Sequence, residues 1–95
     1  MTAEVKNINI RKCEKTTTAG GTDYLRVHVE DEDANPYIFI DYNTERALKY
    51  TVKGDIFDFT LEIRRKVWKG KENIILEILE ERYTGRNEYK DKEKL

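Results

Sequence analysis

Hydrophobic and polar residues alternate along most of this chain, and the places where the alternation slips are as informative as the places where it holds. In residues 3–14, Ile8 and Ile10 share one face while Val5 and Cys13 fall on the other. That mismatch predicts a first strand with a bend or bulge near Lys6–Asn7. A loop follows at residues 15–22, punctuated by Gly20 and Gly21. Residues 23–30 form the second strand, with Leu25, Val27 and Val29 pointing one way and Tyr24, Arg26 and His28 the other. Residues 31–36 read as an exposed acidic turn, with Pro36 where a strand begins. The third strand, residues 37–42, is apolar on both faces, setting Ile38 and Ile40 against Tyr37 and Phe39. One of those faces belongs to the core and the other is open to a binding role. Asn43 or Thr44 is a fitting N-cap for a helix of about two turns. In the fourth strand Phe57, Phe59, Leu61, Ile63 and Val67 alternate with Asp58, Thr60, Glu62, Arg64, Lys66 and Trp68, and Arg65 interrupts the inward series as the strand leaves the core. Residues 69–73 are expected to be a hairpin loop. The fifth strand, residues 74–83, turns Ile74, Leu76 and Ile78 inward and Ile75 and Leu79 to the other face.

The order strand, strand, strand, short helix, strand, strand predicts an all-β domain over residues 1–83, arranged as a five-stranded Greek-key barrel, with a charged, flexible tail over residues 84–95. Composition narrows the class. Hydrophobic residues make up 38% and charged residues 39% of 95 residues, as in a single soluble domain with a heavily charged surface. No apolar run is long enough to cross a bilayer, and Met1–Lys6 does not begin a secretory signal. The only cysteine, Cys13, excludes an internal disulfide, and a cytoplasmic location is expected. Serine and glutamine are absent while Lys, Glu, Asp and Arg abound, a thermophile-like bias. A net charge of −1 excludes nucleic-acid binding by the whole surface, so any such binding must be local.

One stretch is local in that sense. Residues 64–71 hold Arg64, Arg65, Lys66, Lys69 and Lys71 together with Trp68, the only tryptophan. The segments Val52–Ile63, Trp68–Lys71 and Ile74–Glu80 also resemble the oligonucleotide-binding (OB) fold of the single-stranded-DNA-binding kind, in which a Lys-Gly-Asp lead-in (here Lys53-Gly54-Asp55) opens the fourth strand. The resemblance spans residues 3–83 as a pattern. It implies a ligand face on strands two and three, flanked by the loops between strands one and two and between four and five. That face would carry Tyr24, Arg26, His28, Tyr37 and Phe39. Arg64, Lys66, Trp68, Lys69 and Lys71 would line one flank, and Lys15 to Thr18 the other. Single-strand binding needs this mixture, because cations neutralise phosphates and aromatic faces stack bases. The plainer reading puts Tyr37 and Phe39 in the core and makes the lysines a solvated hairpin. The chain departs from the bacterial pattern in lacking an acidic, glycine-rich tail, and also in its short helix region, which points toward the archaeal or viral end of the family.

Other chemistries find little purchase. His28 is the only histidine and has no cysteine pair to complete a zinc site, so no metal or other cofactor is expected. The absence of serine removes the Ser-His-Asp route, and Cys13 has no activating neighbour in sequence. Residues 30–33 lack the spacing of a calcium loop, and neither Gly20-Gly21 nor Lys69-Gly70-Lys71 sits in a phosphate-loop context. The sequence therefore predicts a non-enzymatic protein that binds single-stranded nucleic acid, DNA before RNA, without strong sequence preference. The rival expectation is a protein-interaction module, a subunit of a larger assembly or a small inhibitor, offering a strand edge or the Ile75/Leu79 face. Oligomeric state is left open, a dimer included.

Overall fold

The computed structural model describes residues 1–86. Five strands, β1 (Thr2–Thr17), β2 (Asp23–Glu30), β3 (Pro36–Asp41), β4 (Asp55–Trp68) and β5 (Lys71–Arg86), close a barrel in the order β1-β2-β3-β5-β4. All neighbours are antiparallel except β3 and β5, which meet in parallel at Ile40 and Glu77. This is the Greek-key OB architecture expected from the alternation. β5 continues three residues past Tyr83 to Arg86, still paired with the start of β4. The rest of the expected tail, residues 87–95, lies outside the described residues.

β1 serves two neighbours, β2 and β4, and must bend to do so. The bend falls where the sequence slips: Asn7 has φ 58°, and the register with β4 shifts between Val5 and Ile8. Asn and Asp tolerate that left-handed backbone better than other non-glycine residues. A second shift, between Ile10 and Lys12 against β2, was not apparent from the pattern. Together the two irregularities turn Val5, Ile8, Ile10 and Cys13 toward one core, although simple alternation divides them.

Leu25, Val27 and Val29 of β2 and Phe57, Phe59 and Leu61 of β4 are all buried in that core. Its aromatic centre is tightly arranged, with Phe57 stacked on Phe59 at 5.6 Å and Phe39 edge-on to Phe59 at 5.4 Å. Each such side chain contributes about 1.5–3 kcal/mol by leaving water.

The predicted helix is a 3₁₀ helix, Thr44–Tyr50, whose Asn43 side chain accepts the Glu45 backbone N–H. It closes the base of the barrel through a buried carboxylate. Asp41 accepts hydrogen bonds from the Tyr50 hydroxyl at 2.8 Å, the Asn43 N–H at 2.9 Å and the Arg46 guanidinium at 3.3 Å. Arg46 reaches on to the Leu79 carbonyl at 3.0 Å, and Glu81 pairs with Lys49 at 2.8 Å. Burial pushes the Tyr50 phenol far above its ordinary value, and the Asp41 charge adds to the effect, so Tyr50 remains a neutral donor.

At the other end, β4 and β5 run on beyond the barrel as a two-stranded arm, giving the molecule extents of 49 × 25 × 20 Å. The expected five-residue loop is in fact a two-residue turn, Lys69-Gly70, with φ values of 49° and 74°. Two central residues of positive φ give the type I′ geometry, whose twist matches that of the flanking strands. Lys71, Glu72 and Asn73 therefore pair with Trp68, Val67 and Lys66 instead of looping. Ile74, expected inside, is 62% exposed, because its partner Arg65 is already past the barrel wall.

Candidate nucleic-acid interface

The outward parity of β2, β3 and the arm makes one continuous surface. On β2 it presents Tyr24, Arg26 and His28; the register sets Arg26 against Ile40 and His28 against Ile38 of β3. The parallel pair Ile40–Glu77 carries the surface onto β5, and the β4 ladder carries it up the arm through Arg64 (opposite Ile75), Lys66 (opposite Asn73) and Trp68 (opposite Lys71). Tyr42, just past β3, lies beside Tyr24 with ring centres 6.0 Å apart.

Trp68 is 58% exposed, and the Lys66 ammonium lies 5.8 Å from its ring centre. The ring quadrupole attracts that ammonium, while more than half of the indole is left open to water and to a stacking partner. Arg64 is held by Glu77 at 2.6 Å. Arg26, Lys66, Lys69 and Lys71 have no salt bridge among the described residues. On the barrel wall, His28 Nε2 meets Glu14 at 2.6 Å and Lys12 approaches the same carboxylate at 3.4 Å. The His28 hydrogen bond, then Lys12, hold the Glu14 carboxyl below its usual range.

Two of the expected site residues are elsewhere. Phe39 is 2% exposed and pairs with Val27, so it belongs to the core and cannot stack a base. Tyr37 pairs with Val29 on the same inward parity and is exposed only because β3 begins there, at the barrel mouth. The outward residues of β3 are instead Ile38 and Ile40, and with Tyr42 they were missed. Asp41 shares the inward face with Tyr37 and Phe39, so that face is not purely apolar. Its partners Tyr50 and Arg46 are what allow it inside. The register with β2 was the signal that would have corrected the choice: core Val27 fixes its partner as core.

Other expectations can be placed. Lys15, on the opposite flank, is paired with Asp23 at 3.6 Å. Ile75 lies outward on the arm, but Leu79 sits at the register shift between Thr60 and Leu61, so the two do not form one patch. Burial pushes the Cys13 thiol up, with Asp41 and Glu14 adding to it, the opposite of an activated thiolate. No group of three metal-ligating side chains occurs among the described residues.

No protein-family model and no curated protein matches the chain. Solved structures do. Rim1, a mitochondrial single-stranded DNA binding protein from S. cerevisiae, superposes in one crystal form with a TM-score of 0.76 at 13% identity, over 92% of this chain and 98% of that one. Its second form gives 0.73, also at 13% identity, over 90% and 95%. A small single-stranded DNA-binding protein from Streptomyces coelicolor aligns at 13% identity with a TM-score of 0.50, over 88% and 94%. The chain therefore has the five-stranded OB fold in the form that these single-stranded-DNA-binding proteins share.

Proposed function

We propose that this protein binds single-stranded DNA along the outer surface of β2, β3 and the arm, as a binding protein without catalytic activity. The observation that carries the reading is Trp68. The chain's one indole stands exposed on the arm face that also carries Arg64, Lys66 and Lys71, with Lys69 at the tip. Tyr24 and Tyr42 supply a second aromatic platform on the barrel wall, and Arg26 lies between the two. Bases stack on these rings whatever their identity, and the cations follow the phosphates, so sequence preference is weak. Ile38 and Ile40 give an apolar floor between the platforms, suited to the faces of unstacked bases. The fold is shared with proteins named for single-stranded DNA binding, which favours DNA over RNA.

Trp68 reports on its own occupancy. Titration with oligothymidine at low salt is expected to quench its fluorescence, with affinity falling as salt rises. Trp68→Ala should weaken binding by about 1–3 kcal/mol, the cost of one lost stack. Unchanged emission, together with unchanged anisotropy of a labelled oligonucleotide at low salt, would overturn the reading.

A further inference from the structure

A carboxylate stands in the middle of the proposed phosphate track, where phosphate binding alone has no use for one. Glu77 occupies the rung at which β3 meets β5, opposite Ile40, on the outward parity of β5 that Ile75 shares. That is the point where the barrel wall passes into the arm. Its Oε1 meets Arg64 Nη2 at 2.6 Å, with 22% of the Glu77 side chain and 47% of the Arg64 side chain open to water. Neither group makes a second hydrogen bond or ion pair among the described residues. Glu62, across the ladder from Glu77, is by contrast occupied at both oxygens, by the amino terminus at 3.1 Å and by Thr2 at 3.0 Å. Ile40 and Ile75 flank Glu77 and give apolar surface against which the face of a base can lie. The carboxylate repels phosphate and engages one of the arm's cations, so it weakens a purely electrostatic track.

We propose that Arg64 and Glu77 together read the Watson–Crick edge of one guanine in the bound strand. The inference rests on the nucleic-acid reading and adds a single position of base preference to a track that is otherwise tolerant of sequence. An ionised carboxylate only accepts hydrogen bonds, through two oxygens with about four lone-pair sites, and a guanidinium only donates, through about five N–H groups. Side by side they offer one donor followed by two acceptors, the same series that cytosine offers its partner. Guanine is the complement, because its O6 accepts while N1–H and N2–H donate. The contact between Arg64 and Glu77 uses one N–H and one site on Oε1, which leaves both groups capacity for a base. Thymine sets its one N–H between two carbonyls, and adenine and cytosine each follow a donor with an acceptor. Guanine alone presents two adjacent donors and satisfies both oxygens of Glu77. Any other base leaves a carboxylate oxygen stripped of water and facing an acceptor.

Anisotropy of labelled oligothymidines of about 12 nucleotides, within the length one OB fold covers, tests it when one interior thymidine is replaced in turn by deoxyguanosine, deoxyadenosine or deoxycytidine. The deoxyguanosine strand is expected to bind about ten-fold more tightly than the others, as one bidentate base contact allows. Stronger stacking of a purine would raise the deoxyadenosine strand equally, so that strand is the control. Deoxyinosine, which lacks the N2 amino group, should lose most of the gain, whereas 7-deazaguanine, whose Watson–Crick edge is intact, should keep it. Glu77→Gln should abolish the gain while oligothymidine affinity holds or rises slightly, because a negative charge leaves the track. Equal binding of all strands by the wild type overturns the proposal. So does a Glu77→Gln variant, folded by circular dichroism, that weakens the guanine strand and plain oligothymidine by the same factor, the mark of a residue that only positions Arg64. In both cases oligothymidine is still bound and the Trp68 reading stands. A wild-type protein that binds no strand overturns that reading and this inference with it.

Discussion

The base of the barrel and the arm are built from the same two kinds of residue, aromatics and charges, used in opposite ways. At the base, Tyr50 and Asp41 are both buried, and the polar atoms of Asp41 are satisfied by Tyr50, Asn43 and Arg46. On the arm, Trp68 is exposed and Lys66, Lys69 and Lys71 have no salt bridge among the described residues. A charge satisfied within its own chain stabilises the fold and has nothing left for a ligand. A charge left to water adds little to stability and remains available to phosphate. The contrast separates what holds this molecule together from what it offers to other molecules.

The sharpest break of that contrast is Asp41→Ala. It leaves the Tyr50 hydroxyl buried without its acceptor and takes one carboxylate from the part-buried Arg46, which keeps the Leu79 carbonyl and Glu81; breaking a buried charged network by removing one partner costs up to about 3–5 kcal/mol. For a domain of this size that is a large share of total stability. Urea unfolding is expected to show a midpoint far below wild type, while the fraction that remains folded binds oligothymidine with unchanged affinity. A midpoint close to wild type would mean that the 3₁₀ helix is held by something other than this carboxylate.

How much of this was legible in the sequence depends on where the information resides. The β2 alternation placed Leu25, Val27 and Val29 inside and Tyr24, Arg26 and His28 outside without help, because a half-buried antiparallel strand writes its two faces directly into the residue order. The bulge at Asn7 was legible too, as a phase slip between Val5 and Ile8. The face of β3 was not. With apolar residues on both parities, only pairing with β2 decides between them, and pairing is a long-range fact. The exit of the arm from the core is written at Arg65, whereas the shortness of its turn is not. Residues 71–73 are polar and resemble a loop, whereas a strand that needs no buried face can be built from Lys, Glu and Asn. Trp68 was identifiable because it is the only one of its kind, and its exposed position on a basic face is something only the folded arm could give.

Lowering the pH sharpens the comparison next, at a smaller scale. Asp58 is held below its ordinary value chiefly by Arg82, 2.6 Å away, and also by the Asn7 N–H at the β1 bulge. Glu62 is lowered by the chain's amino terminus and by Thr2, and Glu14 by His28. A carboxyl whose folded pKa is depressed contributes stability that is complete above its unfolded value and is lost as the pH falls through the folded one. These contacts all tie strands of the barrel. The urea midpoint should therefore be level above about pH 5 and decline below about pH 4, where free carboxylates begin to protonate. High salt should reduce the decline, because the pairs are near the surface. A midpoint that is flat down to pH 2 would show that these pairs contribute nothing measurable to closing the barrel.

The finest test is one substitution at the tip, Lys69→Asn, which should move stability and binding in opposite directions. Lys69 has φ 49°, a conformation that costs an ordinary L-residue about 1 kcal/mol, and asparagine followed by Gly70 is the favoured pair for this turn. The variant should gain roughly 0.5 kcal/mol in unfolding free energy. It also loses a cation at the end of the proposed phosphate track. The slope of log affinity against log salt should become shallower by about 0.7, the value for one phosphate contact on a single strand. If stability rises and the slope is unchanged, Lys69 serves the turn alone and the track ends at Lys71. If both move as stated, the chain carries a strained residue at its tip for the sake of its charge. That outcome would extend the separation between stabilising base and ligand-facing arm to a single residue, where the backbone favours one amino acid and the ligand another.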